Sequence, residues 1–336
     1  ILWDMAGRLW RILARLLEGL AGWGWELPTV GLGGEAGLAP LACGLVLLAL
    51  PAGLRLRRLA LLLLISVCLT RPPPPPPGSF AATVLDVGQG LAVVVRTARH
   101  TLLYDTGPRW WSGADAGALV VVPALRRMGV DHLDALVVSH GDSDHVGGLA
   151  AVSAAFAIET WHAPADAVPD LEAAPRVCDT AASWTWDGVV FRLLAAVPRA
   201  GASRNDRSCV VMIESAAGRL LLTGDIERTA EQGLVAAYGA ALRADVMVVP
   251  HHGSATSSSA AFLAAVAPRY AIVPAGYANR YRMPHAAVVA RYRAAGVALF
   301  DTAEDGAVSI AWRGRAAVVR TERSRRRGFW TARDSD

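Results

Sequence analysis

Ser139-His140-Gly141-Asp142-Ser143-Asp144-His145-Val146-Gly147-Gly148 follows the apolar run Leu136-Val137-Val138. Two imidazoles and two carboxylates fall within residues 140–145, on a segment that glycine allows to curl. A strand ending in such a loop can aim alternate side chains at one spot. Imidazole with carboxylate suits Mn²⁺, Zn²⁺ or Fe²⁺, and the lack of thiolates argues against a structural zinc. The plainer reading is a polar helix start, with Asp142 or Ser143 as its cap. Capping has no use for two histidines, so a metal loop is the expectation.

Two more strand ends supply what that loop lacks. Leu220-Leu221-Leu222-Thr223-Gly224-Asp225 reads as a strand that delivers a carboxylate at its C-terminal edge. Val248-Val249-Pro250-His251-His252-Gly253-Ser254 puts two histidines at the end of another apolar strand. Five of the eight histidines (His140, His145, His251, His252 and His285) fall in or beside these motifs. Each segment alone is weak, but ordinary turns do not produce such a series.

The chain divides near residues 71–79. Over residues 1–20, Asp4, Arg8, Arg11, Arg15 and Glu18 share one helical stripe, opposite Leu2, Met5, Leu9, Ile12, Leu16 and Leu20. That spacing predicts an amphipathic helix suited to a membrane interface. Residues 36–54 carry no charge and 59–70 form a second apolar run, so a transmembrane hairpin is expected. Arg55, Arg57 and Arg58 between the runs place that loop in the cytoplasm and the following chain on the outer face. Pro72 to Pro77 is an unbroken proline run, a stiff spacer of about 19 Å.

After Gly78, strands are expected at 82–87, 92–97, 101–104, 135–139, 189–194, 208–214, 220–223, 246–249 and 269–273. Helices are expected at 117–128, 146–156, 226–238, 259–266 and 286–295. This alternation predicts a layered α/β domain over 79–312. Residues 313–336, with Arg320, Arg323, Arg325, Arg326 and Arg327, read as a basic tail. With 53% apolar and 18% charged residues, the chain is not disordered. A net charge of +4 decides little about partners. The four cysteines form no CxxC pair; Cys178 and Cys209 read as buried free thiols, with pairing in an oxidising compartment as the alternative. A start at Ile1 reads as the C-terminal piece of something longer.

The 140–148 stretch resembles the HxHxDH motif of the metallo-β-lactamase fold, with Asp142 where a histidine is usual. Leu85-Asp86-Val87-Gly88-Gln89-Gly90, Tyr104-Asp105-Thr106-Gly107, the Asp225 strand and the HHGS segment narrow the resemblance to one branch. That branch is the C-terminal domain of the ComEC family, the inner-membrane DNA channel of natural competence. The resemblance implies a four-layer αββα sandwich over 79–312, preceded by membrane-associated helices in 1–71 and a linker at 72–78. It implies His140, Asp142, Asp144, His145, Asp225 and His252, the last preferred over its alternative His251, as ligands of one or two Mn²⁺ or Zn²⁺ ions, with Asp225 able to bridge them. The fold's third histidine should fall near Asn205-Asp206-Arg207-Ser208, where this chain has none. Met283 stands where relatives often have histidine, which leaves an acid role to His285, His251 or water.

The implied chemistry is phosphodiester hydrolysis, in which a dication acidifies water and stabilises the reacting oxygens. Asp144 would orient the attacking group. Gln89, Asn205, Ser208, Asn279 and the amides of Gly253 and Ser254 are candidates to hold substrate. Tyr281, Trp110 and Trp111 could stack on single-stranded DNA bases, and Arg109, Arg280 and Arg282 could hold phosphates. The expectation is a nuclease on the periplasmic face of a bacterial inner membrane, degrading the strand that is not imported. Its expected partners are DNA, the membrane, other competence proteins and the missing N-terminal part of the channel, with self-association left open. A DNA-binding module that does not cut and a membrane-tethered hydrolase of small phosphodiesters are the alternatives.

Overall fold

Alternation within short strands builds the layers. In β4 (Ala135–Val137) and the residue after it, Ala135 and Val137 enter one buried cluster, while Leu136 and Val138 enter another. Side chains two apart share a face, so each central strand is apolar on both faces and needs cover on both.

The computed structural model describes residues 4, 7, 10–15, 19, 35–51, 56–69, 72–167, 175–178, 182–195 and 202–325. The chain splits into two units, residues 1–72 and 73–336. The larger unit holds two sheets. One runs β15-β14-β1-β2-β3-β4-β5-β6 and the other β13-β12-β11-β10-β9-β8-β7. In the first sheet these are β1 (Ala81–Val84), β2 (Val93–Arg96), β3 (Thr101–Tyr104), β4, β5 (Trp161–Ala163), β6 (Arg176–Val177), β14 (Val308–Arg313) and β15 (Ala316–Thr321). The second comprises β7 (Ala182–Trp186), β8 (Val189–Leu194), β9 (Val210–Glu214), β10 (Arg219–Leu222), β11 (Val246–Val248), β12 (Tyr270–Val273) and β13 (Ala298–Asp301).

Three apolar clusters make four layers. Val84, Tyr104, Val137, Phe191, Leu222 and Val248 fill the space between the sheets. Leu103, Leu136, Leu125 and Val152 join the first sheet to the helices Val122–Arg127 and Leu149–Ala155. Met247, Leu234, Phe262 and Tyr292 join the second to the helices Arg228–Tyr238, Ala260–Val266 and Ala286–Ala294. The parallel runs β3-β4-β5-β6 and β10-β11-β12-β13 turn their C-terminal ends into loops, where α/β sheets expose functional side chains.

Three expectations change. Residues 316–321 do not begin a tail: β15 pairs antiparallel with β14 from Ala316 to Thr321, and the helix Glu322–Arg325 follows. Val318 and Val319 are partly buried there, so arginine content misled; residues 326–336 lie outside the described set. Cys178 and Cys209 form a disulfide. Cys178 follows the last strand of one sheet and Cys209 precedes β9 of the other, so only the fold brings them together.

In the smaller unit the uncharged run is not one long helix. The helix Glu35–Ala49 stops short of Pro51, whose ring fixes φ and removes a donor. Its 15 residues span about 22 Å, less than the roughly 30 Å of a hydrocarbon core. Arg57–Leu69 is shorter still, and among the described residues no helix is long and apolar enough to cross a membrane. Residues 10–15 are helical, while most of the expected amphipathic helix, and Arg55 of the expected cytoplasmic loop, lie outside the described residues.

Candidate metal centre

Four strands deliver the centre. Asp105 follows β3, Ser139 and His140 follow β4, Asp225 follows β10, and His251 and His252 follow β11. Gly224 makes the close approach possible: its φ is +55°, and a Cβ there would sit 2.8 Å from the Ser139 Cβ and 2.9 Å from the Ser208 Cβ. His251 and His252 hold left-handed backbone (φ 49° and 54°) in the turn Pro250–Gly253. Non-glycine residues rarely adopt that conformation, and it marks a turn fixed by its surroundings.

Asp144, His145, Asp225 and His252 converge, with one ligand atom from each lying within 4.8 Å of the others. His145 Nε2 is 3.2 Å from Asp225 Oδ1, and His252 Nε2 is 3.3 Å from Asp144 Oδ2 and 3.5 Å from Asp225 Oδ2. The opposite ring nitrogens are tied back. His145 Nδ1 lies 2.8 Å from Asp105 Oδ2, and His252 Nδ1 lies 2.6 Å from the Pro274 carbonyl. Asp105 is fixed in turn, accepting the Ser139 N–H at 2.6 Å and the Ser139 hydroxyl at 2.7 Å. A carboxylate behind an imidazole sets its tautomer and leaves Nε2 for a metal.

Nε2 of His140, His145 and His252 and Oδ1 of Asp225 are buried with no hydrogen-bond partner. Burying such groups is costly unless something pairs with them, and this donor set fits a divalent cation. Charge is balanced inside the cluster. Burial would push Asp225 up, but His145 and His252 hold it well below the usual carboxylate range. Burial would pull His252 down, but Asp225 and Asp144 push it up to about 9. His145 is likewise raised by Asp225 and Asp105 against burial. His140 moves the other way, kept neutral by burial and by His145.

His140 and Asp142 flank this group. His140 Nε2 is 3.7 Å from Asp142 Oδ2, and its ring centroid is 4.2 Å from that of His145. His251 stands at the rim, with Nε2 3.7 Å from Asp225 Oδ2 and Nδ1 3.2 Å from Glu227 Oε1.

The expected substrate groups are placed less simply. Ser208 Oγ accepts the Asp225 amide at 3.2 Å and so braces the centre. The Ser254 amide is taken by the His251 carbonyl at 2.8 Å, which removes it as a phosphate donor. Gly253 uses its carbonyl to accept the His285 amide. His285 accepts the Ala287 N–H through Nδ1 as the cap of Ala286–Ala294. Asn279 closes its own loop, bonding Gly276 and Met283. Gln89 spans to the same loop, accepting the Gly276 N–H at 3.2 Å and reaching Met283 Sδ at 3.8 Å. Asn205 opens a short turn over 205–207. Arg280 lies over the exposed Tyr281 ring, Trp111 is fully exposed, and Trp110 packs on the core.

Asp105, Ser139 and Pro274 carry the orienting bonds and were given no role by sequence. Asp105 had a signal like that of Asp225, an acid within three residues of the end of an apolar strand; the Pro274 carbonyl leaves no mark in residue type.

Residues 85–277 match the family model of the metallo-beta-lactamase superfamily, and the chain belongs to that superfamily. It is 42% identical over 272 residues to Competence protein ComA of Neisseria gonorrhoeae, covering 80% of this chain and 37% of that protein. It is 34% identical over 226 residues to Recombination protein 2 of Haemophilus influenzae, covering 67% and 28%. Within the superfamily it is a member of the ComEC family of competence proteins. The chain therefore spans about a third of the length of these relatives. The metallo-beta-lactamase fold protein YhfI of Bacillus subtilis aligns over 66% of this chain and 95% of its own, with a TM-score of 0.42 and 12% identity.

Proposed function

We propose that this chain supplies the metal-dependent nuclease of a membrane-associated DNA-uptake protein, acting on the strand that is not imported. The observation that carries the proposal is the buried convergence of Asp144, His145, Asp225 and His252 around ring nitrogens that have no other partner. The competence proteins to which the chain is similar supply the substrate class.

Asp144, His145, Asp225 and His252, with His140 and Asp142 beside them, would hold one or two Mn²⁺ or Zn²⁺ ions. A divalent cation there supplies Lewis-acid stabilisation of phosphoryl oxygens and acidifies water. Asp105 and the Pro274 carbonyl keep the His145 and His252 rings in the tautomer that ligation needs. Asp144, half-buried at the mouth, orients the attacking group. His251, partly exposed and backed by Glu227, is the group placed to pass a proton at the rim. The Cys178–Cys209 bridge supports an oxidising compartment, in keeping with the periplasmic face of a bacterial inner membrane. Exposed Leu45, Val46, Leu61 and Leu62 on the two short helices support association with that membrane.

A module that holds DNA without cutting is the second reading. It is favoured by Met283, a thioether engaged with Gln89 where an acid would be useful. The full chain should cleave DNA with added Mn²⁺, and Asp144→Ala or His145→Ala should abolish cleavage. Cleavage persisting in both variants removes the nuclease reading. DNA binding without cleavage under every divalent metal decides for the second.

A further inference from the structure

The turn at 202–209 carries two arginines that the centre leaves unused, and its backbone is held more firmly than their side chains. Asp206 Oδ1 accepts the amides of Glu227 (2.9 Å) and Ala230 (3.2 Å) at the start of Arg228–Tyr238. Ser203 Oγ accepts the Asp206 amide at 3.1 Å. At the far end Ser208 takes the Asp225 amide, and the Cys209 N–H donates to the Ser139 carbonyl at 2.9 Å. The turn is thus fastened to both halves of the metal centre.

The guanidinium heads are at the surface. Arg204 Nη2 is 3.3 Å from Asp142 Oδ1, with its side chain 64% exposed. The other oxygen of Asp142 faces His140, so one carboxyl group separates the Arg204 cation from that imidazole. Arg207 Nη2 is 2.8 Å from Asp166 Oδ2, and both side chains are 40% or more exposed. Asp166 belongs to the turn against which Gly141 packs so closely that a Cβ would meet the Ala167 carbonyl at 2.8 Å. Both cations therefore border the 140–145 loop.

We propose that Arg204 and Arg207 are the phosphate-binding residues of this centre, taking backbone oxygens of a nucleic-acid strand laid across the 140–142 edge. The proposal rests on the nuclease reading and names how its substrate is held. Exposed ion pairs such as these contribute only about 0–1 kcal/mol, so their carboxylate partners give way easily. A guanidinium makes paired, charge-assisted bonds to phosphate. The centre carries Asp105, Asp142, Asp144 and Asp225, and a polyanion needs cations at its mouth. When Arg204 leaves Asp142, that carboxylate is freed beside His140, so strand docking and cation loading on that side favour each other.

The test is fluorescence anisotropy of a labelled single-stranded 20-mer against the full chain, in EDTA to prevent cleavage, across a salt series. Arg204→Ala and Arg207→Ala should each weaken binding about 5- to 10-fold. Each should also lower the slope of log affinity against log salt by about 0.7, as expected for one lost single-strand phosphate contact. Arg→Lys at either position should restore most of the slope but not the full affinity. Titration with Mn²⁺ alone should show Arg204→Ala binding the cation at least as tightly as the parent chain, which a misfolded variant would not do. A parent chain that binds the 20-mer while both alanine variants keep its affinity and slope overturns the proposal and leaves the nuclease reading standing. A parent chain that binds no DNA in EDTA, and none with Ca²⁺ in its place, overturns both.

Discussion

Two clusters of histidine and acid lie at opposite ends of the strands, and only one is built as a metal centre. His132, Asp134 and Glu159 gather beside the starts of β4 and β5, with His132 Nε2 3.5 Å from Asp134 and 3.6 Å from Glu159. His132 is 48% and Glu159 63% exposed at the side chain, so water can pair with the groups that would ligate. At the strands' C-terminal ends, His145 and His252 are buried, their Nδ1 atoms are tied to Asp105 and Pro274, and their Nε2 atoms have no hydrogen-bond partner. The residue types match. What differs is burial and the partner behind the ring.

The sharpest way to break this comparison is to remove a ligand from each cluster. Asp225→Asn should weaken Mn²⁺ binding at least about 100-fold by calorimetric titration, since it also leaves His145 and His252 without their shared carboxylate. Comparable loss from a substitution at His132 would sink the distinction.

Asp105→Asn tests the partner behind the ring. It keeps the volume but turns the His145 tautomer around, and about 10- to 100-fold lower metal affinity is expected, with the fold retained. A normal affinity would mean that the Asp105 contact does not orient the ligand.

The disulfide tests whether the 202–209 turn is held from outside the centre. Replacing Cys178 and Cys209 together by serine opens a loop of sequence separation 31 and should cost about 3 kcal/mol in urea unfolding. An unchanged midpoint would show that the hydrogen bonds of the turn suffice.

pH gives a smaller effect with a definite sign. His252 rises from 6.5 unfolded to about 9 folded, so its stabilisation of the metal-free chain is complete below 6.5 and lost as pH climbs through about 9. Asp225, held low, contributes above its usual value of 3.8 and fails only at stronger acid. Without metal, the melting temperature should therefore fall between pH 6.5 and 9, and saturating Mn²⁺ should reverse that slope because it binds neutral imidazole. The smallest change is expected from Glu159→Gln, at most about 0.5 kcal/mol in stability and none in Mn²⁺ affinity.

Much of the fold was legible because its central strands are continuous apolar runs. β3 and β8 match their expected bounds, and β11 and β12 each fall one residue short. The six strands not foreseen, β5, β6, β7, β13, β14 and β15, include both edges of each sheet. β6 has two residues and carries no period, whereas Trp184 and Trp186 alternating with Ser183 and Thr185 in β7 do form a short strand pattern, too brief to stand out beside the longer apolar runs. Edge and terminal strands take their stability from a partner already in place, and a local pattern cannot report that partner.

By itself the sequence set out the candidate ligands, because imidazole and carboxylate at strand ends are readable as chemistry. Tertiary structure alone decided which of them converge, which nitrogens are left to ligate, that Cys178 meets Cys209, and that two arginines border the metal loop. Each of those depends on groups from distant segments meeting at fixed distance and orientation. Packing of the two sheets sets those distances, and residue order along the chain does not contain them.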